Sequence, residues 1–137
     1  MAAYNKFNCF VEDVAEGVHN LATGALTVAL TAAANAPVAT NTVLANLTQV
    51  SYTNLSSRVI SVASSSQASG TYSLVPNDLV LTASGAVATF RYVVVYNDTP
   101  TSPADPLICW YDHGSDVTLA NGETYTIDFG ASLFTLV

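Results

Sequence analysis

Apolar residues recur along this chain at two different spacings. From Asn5 to His19 they stand three and four apart, at Phe7, Phe10, Val11, Val14 and Val18, while Glu12, Asp13 and Glu16 fall on the other side. That spacing predicts one amphipathic helix, about residues 5–19, with Asn5 placed to cap its start and Gly17 and His19-Asn20 to end it. From residue 25 to 137 the period shortens to two, and the 14 Val and 15 Thr of that stretch favour pleated, half-buried strands over helices. Strands are predicted over Ala25–Thr31, Arg58–Ala63, Thr71–Leu74, Leu79–Thr82, Ala88–Asn97, Leu107–Asp112, Thr124–Phe129 and Ser132–Val137.

Turn-forming stretches separate them: Asn35-Ala36-Pro37, Ser64 to Gly70, Pro76-Asn77-Asp78, Ser84-Gly85, Asp98 to Pro106, His113-Gly114-Ser115 and Asn121-Gly122. Asn121-Gly122, ahead of an alternating run, is the sharpest hairpin signal. Val43 to Val50 reads equally as strand or short helical turn. Phe90 to Tyr96 is apolar on both faces apart from Arg91, as a central strand covered on each side would be, and the helix is a candidate cover. In Thr124 to Phe129, Tyr125, Ile127 and Phe129 point inward. The expected fold class is therefore mainly β, an antiparallel β-sandwich or barrel-like sheet with one N-terminal amphipathic helix, in a single domain over residues 1–137.

No charged side chain occurs between Glu16 and Arg58, and Leu21 to Ala39 is long enough to suggest a membrane span. Thr23, Thr27, Thr31, Asn35 and Pro37 interrupt it, and Leu26, Val28 and Leu30 alternate at strand period, so a half-buried strand is the better reading.

Charge narrows the function classes. Ten acids stand against Lys6, Arg58 and Arg91, a net charge of −7, and three scattered cations cannot neutralise a run of phosphates. Nucleic acid and anionic membrane surfaces are thus poor partners, and the amino end lacks the basic-then-apolar layout of an export signal. Charged residues make up only 9% of the chain against roughly 25% in ordinary soluble domains, leaving a surface of Ala, Thr, Ser and Val that is easily desolvated. Such a surface suits permanent assembly, here a homo-oligomer or a lasting partner, and the alternative reading is a monomer that tolerates a Thr- and Ser-rich exterior.

Catalytic and metal chemistry find little support. His19 and His113 are the only imidazoles, and His19, at the expected helix end, reads as a C-terminal cap. Cys109, Asp112, His113 and Asp116 lie close in sequence but alternate faces if they form a strand. Asp112 and Asp116 alone fall short of the six to eight oxygens that calcium wants. No catalytic residue, cofactor or metal is expected. Cys9 and Cys109, 100 positions apart, read as packed, reduced thiols. Sequons at Asn46, Asn54 and Asn97 matter only in a secreted protein. Trp110 and Tyr111 read as a half-buried aromatic pair, a sugar-stacking platform or an interface anchor. With Tyr4 they are the residues guessed to touch a partner.

A set of segments carries a resemblance over most of the chain. The first are Tyr4-Asn5-Lys6-Phe7-Asn8, Phe10-Val11, Val18-His19-Asn20-Leu21, Leu26-Thr27-Val28-Ala29-Leu30-Thr31 and Ala36-Pro37-Val38-Ala39-Thr40-Asn41. Ser69-Gly70-Thr71-Tyr72, Phe90 to Thr99, Pro106-Leu107-Ile108 and Trp110-Tyr111-Asp112 follow, then Gly114-Ser115, Val117-Thr118-Leu119 and Gly122 to Phe129. Together they resemble a family of small virion structural proteins of tailed bacteriophages. The sequence departs from that pattern at Ser51 to Ser57, where relatives tend to be glycine-rich, and at Cys109, where they carry a small residue.

The resemblance implies a non-enzymatic protein, made in the host cytoplasm, that decorates and stabilises the outer surface of a capsid. Its implied partner is the major capsid protein, with oligomers clustering on the lattice. The rival readings are a tail-tube, head-tail connector or fibre-base protein and, from another class, a carbohydrate-binding module.

Overall fold

A computed structural model describes residues 3–137. The fold is mainly β, and every strand pairing is antiparallel. In chain order the elements are β1 (Ala3–Lys6), α1 (Cys9–Ala15), β2 (Leu26–Thr31), β3 (Val62–Ala68), β4 (Thr71–Pro76), β5 (Leu79–Thr82), β6 (Phe90–Asn97), β7 (Leu107–Val117), β8 (Thr124–Ile127) and β9 (Phe134–Leu136). They form a four-stranded sheet in the order β1-β7-β6-β2, a three-stranded sheet β3-β4-β9 and a ribbon β5-β8. One core joins all three in a sandwich-like arrangement: Val28 and Leu30, Val93 and Val95, and Cys109 and Tyr111 of the large sheet meet Leu74, Leu81, Ile127, Phe129 and Leu133.

β2 and β6 are the centre of the molecule. All six residues of β2 are buried, and β6 is buried at every position but Arg91. The opposite face of β6 has its own cluster, in which Val94 and Tyr96 pack with Phe7, Ala29 and Leu107. The expected two-sided cover of this strand is therefore present, and the helix supplies part of it on the principal-core side, through Phe10 and Val14. Phe10 of α1 enters the principal core, whereas Phe7, Leu44, Leu47 and Trp110 cover the other side. A bulge between Val95 and Tyr96 adds one residue to β7, and Ile108 and Cys109 both reach the principal core as a result.

Several boundaries differ from the sequence expectation, each for a backbone reason. The helix is shorter than 5–19 because Ala3–Lys6 is taken as an edge strand against β7, with Tyr4 opposite Tyr111 and Lys6 opposite Cys109. The N-cap is Asn8 rather than Asn5. At the other end Gly17 adopts φ 75°, and the Gly17 and Val18 N–H groups donate back to Val14 and Asp13 carbonyls at 3.3 and 2.9 Å. That paired closure stops the helix before His19.

Val43 to Val50 contains a single 3-10 turn, Leu44–Asn46. Ser64 to Gly70, expected as a loop, is most of β3 and its hairpin turn, and β7 runs on through His113-Gly114-Ser115 to Val117. Asn121-Gly122 does form a turn, with Glu123 N–H donating to Ala120 C=O at 3.0 Å, yet β8 leaves it to pair with β5 and not with β7. The strand expected over Arg58–Ala63 is divided. Val28 N–H donates to Arg58 C=O and Ile60 N–H to Leu26 C=O, each at 2.9 Å, which covers the open edge of β2 before the chain enters β3.

Leu21 to Ala39 holds β2 and a short 3-10 turn at Ala33–Asn35. Among the described residues no helix is long and apolar enough to cross a membrane.

Candidate interaction surface

Tyr4, Trp110 and Tyr111 do not form one patch. Successive residues of a strand point to opposite faces, so Trp110 lies in the cluster with Phe7 and Tyr111 in the principal core. Trp110 packs against Phe7 with ring centroids 4.5 Å apart. Tyr111 is only 8% exposed and meets Phe129 edge-on at 6.1 Å. Tyr4, opposite it on the edge strand, is 41% exposed and stands edge-on to Tyr111 at 5.5 Å. The indole and the phenol of residues 110 and 111 thus offer no shared stacking platform. Burial and the neighbouring Cys109 thiol push both tyrosine hydroxyls well above their ordinary range, so they are neutral hydrogen-bonding groups at physiological pH.

The two imidazoles are engaged separately. His19 is not a helix cap: it sits beyond α1, where Asn97 Nδ2 is 3.1 Å from its Nδ1 and the Phe10 ring is 5.3 Å away. Burial lowers its pKa to about 4, so the ring is neutral at pH 7 and exerts no pull on the helix dipole. Its Nε2 is buried without a partner. His113 Nδ1 lies 3.1 Å from the Tyr125 hydroxyl. With Val93, Tyr111 and Asp128 this pair lines a cavity of about 220 Å³, below the roughly 300 Å³ at which small-molecule pockets begin.

The residues weighed as a metal cluster are held apart. Cys109 is fully buried, Asp112 accepts from Arg91 Nε and Nη2 at 2.9 and 3.2 Å, and His113 turns to Tyr125. The Arg91 guanidinium and the Gly114 N–H hold the Asp112 carboxyl below the usual range. Among the described residues no group of three His, Cys, Asp or Glu side chains converges on a metal position. Cys9 and Cys109 are free thiols.

The three cations are also separated. Arg58 lies 3.6 Å over the Tyr52 ring and donates from Nη1 to Val28 C=O, and Arg91 is paired with Asp112. Lys6 stands apart on β1. Among the described residues no basic patch results; of the exposed large apolar side chains, Val38, Val59 and Val80 lie in separate segments, whereas Val11 and Leu136 line one shallow depression with Phe10, Val14 and Phe134.

Sequence reasoning missed two polar networks that fix the loops around this surface. Tyr52 OH accepts from Leu30 N–H at 3.0 Å and donates to Gln49 Oε1 at 2.6 Å, beneath the Arg58 guanidinium. Asn97, fully buried at the end of β6, contacts His19 and accepts from Thr99 N–H at 3.1 Å. An amide closing a run of seven mostly apolar strand residues was the available signal for the second. No family model matches the chain, and no curated protein or solved structure matches it.

Proposed function

We propose that this chain is a non-enzymatic structural subunit of a tailed-bacteriophage virion that decorates and stabilises the outer surface of the capsid, with the major capsid protein as partner. The resemblance in sequence supplies the class of particle. The disposition of charge carries the choice of face: of three cations, Arg58 is held by Tyr52 and Val28 and Arg91 by Asp112, while the other nine of ten acids have no salt-bridge partner among the described residues. An acidic exterior without a basic patch is repelled by packaged phosphate and belongs on the side of the shell away from it. A sparsely charged β-rich body that binds the assembled lattice and not its free pieces raises the stability of the lattice by mass action.

The test is co-sedimentation of the purified protein with empty and filled capsids, followed by heating of the particles. Saturable binding with a higher rupture temperature is expected, and labelled protein imaged over the head. Label confined to the tail would transfer the chain to a tail or connector role, and no binding to any particle would remove the virion reading.

A further inference from the structure

The edges of the three sheets are not alike. β2 is covered by Arg58–Ile60, β5 is flanked by Leu55 and Ser56, β8 lies between Glu123 and Asp128, β9 has three residues and β1 has four including Lys6. β3 is seven residues long, pairs with β4 on one side only, and contains neither a charge nor a proline. From Val59 to Asn77 the sequence has no ionisable acid or base other than Tyr72. Charges, prolines and short lengths are the ordinary protections of an exposed strand edge, and on β3 the protection is confined to a bulge between Val62 and Ser64.

We propose that the β3 edge is the site at which two copies of this chain pair, antiparallel about a twofold axis through Ser65. Ser69 and Gly70 both have positive φ, 50° and 83°, as in a two-residue type I′ turn. Ala68 and Thr71 then close the turn as a hydrogen-bonded pair, and alternation along the ladder leaves the N–H and C=O of Ser65 and Gln67 directed away from β4. With Ser65 opposite its own copy, Ser64 faces Ser66 and Ala63 faces Gln67, small or neutral against small or neutral at each step. The register is self-complementary, as an isologous contact requires.

The self-complementary register, on a stretch without charge, selects a second copy as the occupant. Two bodies of net charge −7 repel over most of their surfaces, and this hairpin offers backbone donors and acceptors free of that repulsion. The result is a continuous sheet β9-β4-β3 extended across the axis by β3-β4-β9 of the other copy. This deepens the assembly role proposed above and is separable from it, because it concerns the protein alone in solution.

The experiment is sedimentation velocity of the purified protein over a wide concentration range, with Ser65→Pro as the variant. Proline removes the outward N–H of residue 65 and leaves the ladder to β4 intact. A monomer–dimer equilibrium that Ser65→Pro abolishes is expected. Where circular dichroism shows that variant to be unfolded, cysteine cross-linking decides. Ser65→Cys gives a covalent dimer under mild oxidation, whereas Ser66→Cys, roughly 8 Å from its own copy in this register, gives none, and the unsubstituted protein is the control for Cys9. A monomer at all concentrations, a dimer indifferent to Ser65→Pro, open polymers, or equal cross-linking at 65 and 66 each overturn the pairing. A monomer that still binds capsids overturns this inference alone. A Ser65-dependent dimer that binds none overturns the virion reading alone.

Discussion

The Phe7 ring lies 4.5 Å from Trp110, centroid to centroid, and closes the second apolar cluster over Val94 and Ala29. Phe7 is fully buried and Trp110 is the only tryptophan. Phe7→Ala is expected to cost about 3–5 kcal/mol, the range for truncating a buried aromatic. Denaturant unfolding followed by Trp110 emission measures the loss, and the native emission shifts to the red as water reaches the indole.

His19 carries an acid sensitivity. Its pKa is about 4 in the folded chain because burial disfavours the cation, against about 6.5 when unfolded. The unfolded state therefore binds more protons between those values, and the stability that His19 contributes above pH 6.5 is lost as pH falls towards 4. His19→Gln keeps a polar partner for Asn97 and removes the titration. The unfolding midpoint of the wild type is expected to fall more steeply than that of the variant between pH 7 and 5, and parallel curves would refute the assignment.

Tyr52 satisfies the backbone N–H of Leu30 in the buried strand β2. Tyr52→Phe leaves that donor unpaired and releases Gln49, at an expected cost of about 1–3 kcal/mol. Hydrogen exchange at Leu30 separates this local effect from global loss: its amide protection drops by more than that of Val94.

Gly24 has no room for a side chain. A Cβ there would stand 2.6 Å from the Asn20 carbonyl oxygen and 2.9 Å from Asn97 Nδ2. Gly24→Ala must displace backbone as well as the Asn97 amide and is expected to destabilise by about 1–3 kcal/mol. Thermal unfolding reads the cost, and Gly85→Ala, which meets only the Asn54 side chain, is the milder comparison.

The two thiols should react at different rates. Cys109 is wholly buried and burial drives its thiol well above the ordinary range, while burial and the Asp13 carboxylate raise partly exposed Cys9 to about 11. A disulfide-exchange reagent at pH 7.5 is expected to label Cys9 slowly and Cys109 only after denaturation. Rapid labelling of two thiols in the native protein would contradict this packing.

Periodicity was a good guide wherever a strand buries both faces or alternates cleanly. β2, β5 and β6 lie within a residue or two of expectation, and Ile127 and Phe129 point inward as the alternation requires. It misled where a pairing partner distant in sequence decided the outcome. Asn5 and Lys6, read as the start of the helical run that holds Phe7 and Phe10, are claimed with Ala3 and Tyr4 by β7, whose existence as a neighbour no local window contains. Ser64 to Ala68 is polar because it is an exposed edge, and polarity alone reads as loop. Of the guessed contact residues, the aromatic character was legible and the facing was not. The alternation that sends Trp110 and Tyr111 to opposite sides was available, but the aromatics against which each packs were not.

The enclosure of Asn97 reaches beyond stability. Its triplet Asn97-Asp98-Thr99 is an acceptor sequence for an oligosaccharide, yet its Nδ2 faces His19 in the folded core. Only a chain still emerging from a translocon could present that nitrogen, and a sugar once attached would bar β6 from its place beside Gly24. A secretory host would therefore sort the product into two populations, native molecules bare at this position and modified molecules that never close their core.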